Sequence, residues 1–213
     1  GSVTSSGDFS ILTTPPSIGG MTLTDDDGAN APLPGFTNGP TVDVDFSGVG
    51  GFPNQMWLSE SSTFATGAWA PWSNPTSFTF ATAVNTTKTL YLRVRDLAGQ
   101  TVGSAGDIAA SITLDTLGPV LYSAAQTPDA NQPWVDLEYS EPMNFGVLTT
   151  GNYLVTNLIT SATVNVQNVA QQTSLIYRLE TASQVIGDPY SVEVSSVADR
   201  AGIMRDGALY QTG

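Results

Sequence analysis

Apolar and polar residues alternate at every second position over many short stretches, and this pattern constrains the fold more than any other feature. Val42, Val44 and Phe46 alternate with aspartates, and the same pattern recurs at residues 90–95, 135–139 and 190–194. Successive side chains of a strand point to opposite faces, so each stretch predicts a strand with one buried and one solvated face. No long stretch has the period of a helix. We therefore expect an all-β fold.

The alternation also predicts which side chains are buried. We expect one core from the apolar positions of the first half and a second core from those of the second half. These positions are Val42, Val44, Phe46, Leu90, Leu92 and Val94, and then Val135, Leu137, Tyr139, Val192 and Val194.

A weak internal repeat predicts the module boundaries. Residues 10–18 and 111–120 share a pattern of strand, proline-containing joint and strand. We expect residues 1–16 to be a leader strand or the end of a preceding module. Residues 17–116 and 117–213 are then two tandem β-sandwiches of about 100 residues each. Pro119 stiffens the joint at residues 116–119, so the modules are expected to be held semi-rigidly.

A second repeat places Asp-x-Ala-Gly after a strand in each half, at Asp96 to Gly99 and at Asp199 to Gly202. An aspartate can accept backbone N–H groups of its own turn, and glycine supplies a positive φ. We therefore predict the same structural turn in each module. Hydrogen bonds to the charged form would lower the pKa of both carboxyl groups.

The composition excludes several classes of function. The chain has 19 acidic and 6 basic residues and a formal net charge of −13, which disfavours nucleic acid and anionic membranes as partners. It has no His and no Cys, so neither a Ser-His-Asp arrangement nor a zinc site of the usual N/S type can form. No apolar run approaches 18 residues, and we expect targeting and anchoring segments to lie outside this sequence.

Two remaining catalytic arrangements are both weak. A Ser–Lys dyad would need Lys88, the one lysine, which we interpret as a solvated loop residue just before a strand. Glu138 and Glu141 are the nearest carboxylate pair for glycoside cleavage, but Glu138 lies on the outer face of a strand and Glu141 begins a turn. We predict structural roles for all three and no enzymatic activity.

Longer stretches resemble known families. Residues 88–102, followed by 111–119, resemble the bacterial immunoglobulin-like repeats of large surface and secreted proteins. Residues 135–143, 151–153 and 190–202 resemble the immunoglobulin-like family first named from S-layer proteins. The resemblance implies two tandem immunoglobulin-like domains that serve as extracellular spacer, stalk or adhesive modules, with neighbouring modules of the same chain as partners. Gln100 and Ile203 stand where these families usually have Asn after Asp-x-Ala-Gly.

The acidic run that contains Asp25 and Asp27 is the best candidate metal site, because Ca²⁺ prefers carboxylate oxygens near a glycine turn. Asp115 is a third candidate, since it lies at the expected joint and Ca²⁺ can stiffen joints between immunoglobulin-like modules in adhesins. The alternative is a solvated acidic loop without any cofactor, and this alternative is favoured.

Aromatic residues offer a different function, in which the chain binds surface glycans or proteins. Trp69, Trp72, Phe78 and Phe80 could form a stacking platform, although the spacing of the two phenylalanines favours burial in a core. Trp134 shares its strand face with Asp136 and Glu138, so we expect it on the solvated side or at an edge. An exposed aromatic cluster would favour binding, whereas buried tryptophans would favour a spacer.

Overall fold

The computed structural model describes residues 14–26, 32–103, 107–126, 133–185, 187–205 and 208–212. Apart from a 3₁₀ helix at Thr150–Asn152, the regular structure in these residues consists of β-strands, which confirms the all-β class. No helix in these ranges is long and apolar enough to cross a membrane.

The strands follow one another in short segments along the whole chain. The first nine are β1 (Gly20–Asp25), β2 (Phe36–Thr37), β3 (Thr41–Ser47), β4 (Gln55–Ser59), β5 (Ala70–Pro71), β6 (Thr76–Thr79), β7 (Thr86–Arg95), β8 (Thr101–Val102) and β9 (Ala109–Leu114). The others are β10 (Leu121–Gln126), β11 (Trp134–Tyr139), β12 (Met143–Phe145), β13 (Tyr153–Asn157), β14 (Thr163–Val164), β15 (Val166–Gln171), β16 (Ile176–Thr181), β17 (Tyr190–Val194), β18 (Val197–Asp199), β19 (Met204–Arg205) and β20 (Ala208–Thr212).

The chain divides into two compact units. Unit 1 comprises Gly1–Thr24, Thr41–Ala81 and Thr87–Ile112. Unit 2 comprises Asp25–Pro40, Thr82–Thr86 and Thr113–Gly213, so it includes two short segments from the first half of the sequence. The linear boundaries expected at residues 16 and 116 stay a prediction, and residues 1–13 of the expected leader lie outside the described residues.

Unit 1 is built from two sheets that share one hydrophobic core. One sheet has the order β1, β3, β6, and the other contains β9, β7, β4 and β5, with β8 paired to β7. β3 shows the alternation at its clearest, since Val42 and Val44 are fully buried while Asp43 and Asp45 are exposed. All six core positions expected for the first half lie in this core, which confirms that prediction.

Unit 2 has three sheets, in the orders β10-β11-β16-β15, β14-β13-β17-β20 and β12-β18-β19. The two four-stranded sheets contribute to one core, since Val135 and Leu137 of the first lie in the same cluster as Val192 and Val194 of the second. Together with Tyr139, these are the five positions expected for the second half, and all are buried. The short strand β2 pairs in parallel with Thr113 and Leu114, which belong to the same unit.

Candidate metal centre

The turn after β18 holds Asp199 in the interior of unit 2. The N–H of Ile203 donates to Asp199 Oδ1 at 3.0 Å, and the N–H of Gly202 donates to the Asp199 carbonyl at 3.3 Å. Gly202 has φ +78°, which L side chains rarely adopt. Asp199 is fully buried, and its Oδ2 has no hydrogen-bond partner among the described residues.

Unit 1 contains the same turn at Asp96. The N–H of Gln100 donates to Asp96 Oδ1 at 2.8 Å, the N–H of Gly99 donates to the Asp96 carbonyl at 3.2 Å, and Gly99 has φ +80°. Asp96 Oδ2 is also buried and, within the described ranges, also without a hydrogen-bond partner. The predicted repetition of one structural turn is therefore confirmed.

The expected direction of the pKa shift is wrong for Asp199. Burial is the largest cause and raises the pKa of this carboxyl group, the backbone N–H groups of Ile203, Ala201 and Gly202 lower it, and the net shift is upward. Removing a charged carboxylate from water favours its neutral form. The negative charge of Asp115 raises the pKa further.

Asp115, directly after β9, approaches Asp199 because its own position is fixed by several hydrogen bonds. Its N–H donates to the carbonyl of Thr37 at 2.9 Å. Its Oδ1 accepts from Asn85 Nδ2 at 2.7 Å and from the N–H of Leu117 at 3.1 Å. These residues all belong to unit 2. The carboxylate is therefore held in one orientation.

Glu141 completes the group from the segment after β11. The preceding Ser140 anchors this segment, because its N–H donates to the Val120 carbonyl and its Oγ accepts from the Val120 N–H, both at 2.8 Å. Burial, followed by the charges of Asp115 and Asp199 and a hydrogen bond with Asp115, raises the pKa of the Glu141 carboxyl to about 7. Without a counter-ion, this group holds a proton over part of the neutral range.

One oxygen from each of Asp115, Glu141 and Asp199 lies within 4.8 Å of the others. An open cavity of about 570 Å³, also within unit 2, is lined by Asp115 and Glu141 together with Asn85, Leu117 and Ser140. Water can therefore reach the carboxylates of Asp115 and Glu141. Three convergent carboxylates can share protons, or they can bind a hard cation through oxygen.

The three metal candidates from the sequence are Asp25, Asp27 and Asp115. Asp115 belongs to the group above, whereas Asp25 Oδ1 accepts from Thr37 Oγ1 at 2.6 Å and from the N–H of Asn38 at 3.2 Å. Asp27 lies outside the described residues. Sequence reasoning missed Glu141 as a candidate ligand and assigned Asp199 to the turn alone.

One expectation for the catalytic candidates is wrong. Lys88 is a buried residue inside β7, with 8% of its surface exposed, and not a solvated loop residue. An aliphatic lysine stem can pack along apolar neighbours, which makes such a position tolerable. Glu138 is exposed, as expected, and accepts from Ser123 Oγ at 3.2 Å.

The aromatic candidates are distributed between core and surface. Phe80 is buried, and Trp72 and Phe78 pack against the core of unit 1. Trp69 is half-buried on unit 1, and Trp134 is half-buried in unit 2, where the guanidinium of Arg178 stacks on its ring at 4.2 Å. None of these five side chains is largely exposed.

No protein-family model and no curated protein matches the sequence. Among solved structures, the N-terminal part of the bacterial S-layer protein SbsC aligns with 45% of this chain and 23% of its own length, at 17% identity and a TM-score of 0.41. A second structure of SbsC aligns over 46% of this chain and 14% of its own, at 17% identity and a TM-score of 0.41. A third structure, of SbsC domains 1–6, aligns over 45% of this chain and 13% of its own length, at 18% identity and a TM-score of 0.41. The chain thus spans less than a quarter of the length of each of these structures.

Proposed function

We propose that the chain is a non-catalytic structural spacer of a bacterial cell-surface or secreted protein, built from two immunoglobulin-like modules. The observation that carries this proposal is the repeated turn at Asp96 and Asp199, which recurs in two units with separate hydrophobic cores. A repeated module with its own core can be added in series without changing its neighbours. The resemblance to surface-protein families supports the same function, and it rests on residues 88–102, 111–119, 135–143, 151–153 and 190–202.

The residue types that most often serve as catalytic groups are absent from the chain or lie where a structural role explains them. The chain has no His and no Cys, and its single lysine is buried in β7. Glu138 and Glu141, the nearest carboxylate pair in sequence, have separate surroundings, since Glu138 is exposed and bonded to Ser123. These residues are best explained by structural roles.

Stretching the full chain between its termini tests the spacer function directly. Two independent modules give two separate unfolding events in a single-molecule force experiment. Each event releases roughly 330–360 Å of chain, less the end-to-end distance of the folded module, because about 100 residues extend by 3.3–3.6 Å each. A single event for the whole chain, or extension without a force peak, would contradict two independent modules.

An aromatic cluster on unit 1 favours a second candidate function, the binding of glycans. Trp57 packs edge-on against both Phe64 and Trp69, with ring centroids 5.7 Å apart in each pair. Arg93 stacks on Phe64 at 4.2 Å and Arg95 stacks on Trp69 at 4.3 Å, so one face of each ring is already covered by a guanidinium. A sugar would have to use the faces that remain.

A glycan array probed with the full chain separates the two candidate functions. Glycan binding predicts a defined set of positive sugars and the loss of that signal in Trp69→Ala. The variant Trp72→Ala is the control, because Trp72 packs against Phe46 in the core of unit 1 and not in this cluster. An array without signal supports the spacer.

A further inference from the structure

The carboxylates of Asp115, Glu141 and Asp199 carry negative charge that the described residues do not neutralise. Within the described part of the chain, none of the three forms an ion pair with Lys or Arg, although Asp136 does so with Arg178. Like charges at this separation repel one another, and the repulsion is strongest where burial excludes water. A cation bound between the three carboxylates would neutralise this charge.

Asp199 distinguishes this group from an ordinary acidic surface patch. The side chain is fully buried, and its Oδ2 finds no donor in the described ranges although its Oδ1 is bonded to the Ile203 N–H. Burial of a polar atom without a partner is costly, and such atoms usually have a ligand, an ion or an ordered water. The carboxylate belongs to the group whose oxygens approach within 4.8 Å, so a cation there would satisfy it.

We propose that Asp115, Glu141 and Asp199 bind one Ca²⁺ ion. Calcium–oxygen distances are about 2.3–2.6 Å, so two oxygens on the same ion lie up to about 5 Å apart. The observed separations, all within 4.8 Å, fit a single ion without movement of the backbone. The site goes beyond the spacer function, since it can exist whether or not the chain is a spacer.

The chemistry of the donors selects calcium from among the common cations. The group offers only carboxylates, which suit hard cations, and the chain has neither the His nor the Cys that zinc usually takes. Calcium accepts six to eight oxygens in flexible geometry, and carboxylates bind it through one or both oxygens. Water from the open cavity beside Asp115 and Glu141 can supply the remaining ligands. Magnesium demands a near-ideal octahedron and is the poorer fit.

Calorimetric titration of the metal-free full chain with CaCl₂ tests the site. We expect one ion per chain, with a Kd on the order of 10⁻⁴–10⁻³ M, as for other extracellular calcium modules. Saturation at 10 mM CaCl₂ should raise the Tm of unit 2 by roughly 5–15 °C, because the ion binds only the folded unit. Trp134 lies in unit 2 and the other three tryptophans in unit 1, so four indole N–H signals in NMR assign the effect to a unit.

Charge-neutral variants locate the ion. Glu141→Gln is the main variant, because Glu141 is only half-buried and its loss should leave the fold intact. We expect it to weaken calcium binding at least tenfold, and Asp199→Asn to do the same. Asp96→Asn is the matched control, since Asp96 occupies the same turn and has a buried Oδ2 but belongs to no group of three carboxylates in the described residues. Asp25→Asn is a second control, for the acidic run.

Each result of these titrations either supports or overturns the calcium site. Calcium binding that survives Asp96→Asn and Asp25→Asn but is lost in Glu141→Gln supports the site. No saturable binding by the wild-type chain at 10 mM CaCl₂ overturns it, as does equal loss in Asp96→Asn and Asp199→Asn. Tighter binding of Mg²⁺ than of Ca²⁺ overturns the assignment to calcium. None of these results affects the two unfolding events that test the spacer.

Discussion

Asp96 and Asp199 occupy the same turn in two units, but among the described residues only Asp199 belongs to a group of three carboxylates. The two units have similar sequences at β3 and β11 and in the residues that follow these strands. Residues 42–48 of unit 1 are V-D-V-D-F-S-G, and residues 135–141 of unit 2 are V-D-L-E-Y-S-E. Both strands lie between equivalent neighbours, β1 and β6 in unit 1 and β10 and β16 in unit 2. The alignment places Gly48 where unit 2 has Glu141.

The backbone explains why unit 1 has no glutamate at this position. Gly48 has φ +60°, and a Cβ there would lie 2.9 Å from the Cα of Gly19. A side chain at residue 48 would therefore require both a strained conformation and a movement of the neighbouring backbone. A shared turn and a shared aspartate therefore do not by themselves bring three carboxylates together, because the group in unit 2 also requires Asp115 and Glu141.

The largest effects are expected in the two cores and test whether the units are independent. Leu92→Ala should destabilise unit 1, and Leu137→Ala should destabilise unit 2, each by about 2–5 kcal/mol, because both side chains are fully buried. Chemical denaturation followed by the four indole N–H signals measures each unit separately. A mutation in one unit that lowers the stability of both equally would show that they unfold as one.

Alkaline pH should distinguish the cores, because unit 2 buries tyrosines where unit 1 buries phenylalanines such as Phe46 and Phe80. Burial raises the pKa of Tyr153 and Tyr177 above their ordinary value of 10.0. The free energy of unfolding is therefore unaffected below the pKa that these tyrosines have in the unfolded chain. It falls as pH rises from that value towards their higher pKa in the folded protein. We expect unit 2 to lose up to about 1.4 kcal/mol per buried tyrosine between pH 10 and pH 11.

Denaturation curves at pH 9, 10 and 11 would measure this loss. The variants Tyr153→Phe and Tyr177→Phe should each reduce the pH dependence, because phenylalanine cannot ionise. Equal pH dependence in the two units would contradict the assignment to these tyrosines.

The two turns should respond differently to alanine. Asp96→Ala removes the acceptor for the Gln100 N–H and should cost about 1 kcal/mol. Asp199→Ala removes the equivalent acceptor, but it also relieves repulsion from Asp115 and Glu141. In EDTA it should therefore cost less than Asp96→Ala, and in saturating CaCl₂ it should cost more. The same ranking under both conditions would refute the proposed difference.

The smallest effect concerns equivalent aspartates on the outer faces of β3 and β11. Asp136 forms a bidentate ion pair with Arg178, its cross-strand partner, with both distances at 2.7 Å, whereas Asp43 lies opposite Ser77. Partly exposed ion pairs contribute about 0.2–1 kcal/mol, so Asp136→Asn should cost an amount in this range. Asp43→Asn should leave the unfolding midpoint unchanged, and an equal cost at both sites would contradict a role for the ion pair.

The strands and cores were predictable because their signal is local. Val135, Leu137 and Tyr139 reveal their buried face through spacing alone, and Gly202 marks its turn through a conformation that glycine adopts easily. Lys88 was misplaced because the residues around it, 85–89, are all polar and give no sign that β7 begins before it.

The candidate site was predictable only in part because its members are far apart in sequence. Asp115 was recognised as a possible ligand from its place at a joint, but Asp25 and Asp27 were the main candidates because they belong to a run of consecutive acidic residues. Glu141 and Asp199 reach Asp115 through the arrangement of β9, β11 and β18, which no local pattern specifies. Burial also reversed the expected pKa shift of Asp199, and burial follows from the whole fold.

The carboxylate group joins positions 115 and 199, which are 84 residues apart in a chain that contains no cysteine. An ion held between them would close a loop of that length. The conformational entropy that such a closure removes from the chain increases only slowly with the length of the loop. Disulfides give small extracellular domains the same advantage, but they depend on an oxidising environment. A bound calcium ion would provide it reversibly, and the concentration of free calcium would then set the strength of the cross-link, as the redox potential does for a disulfide.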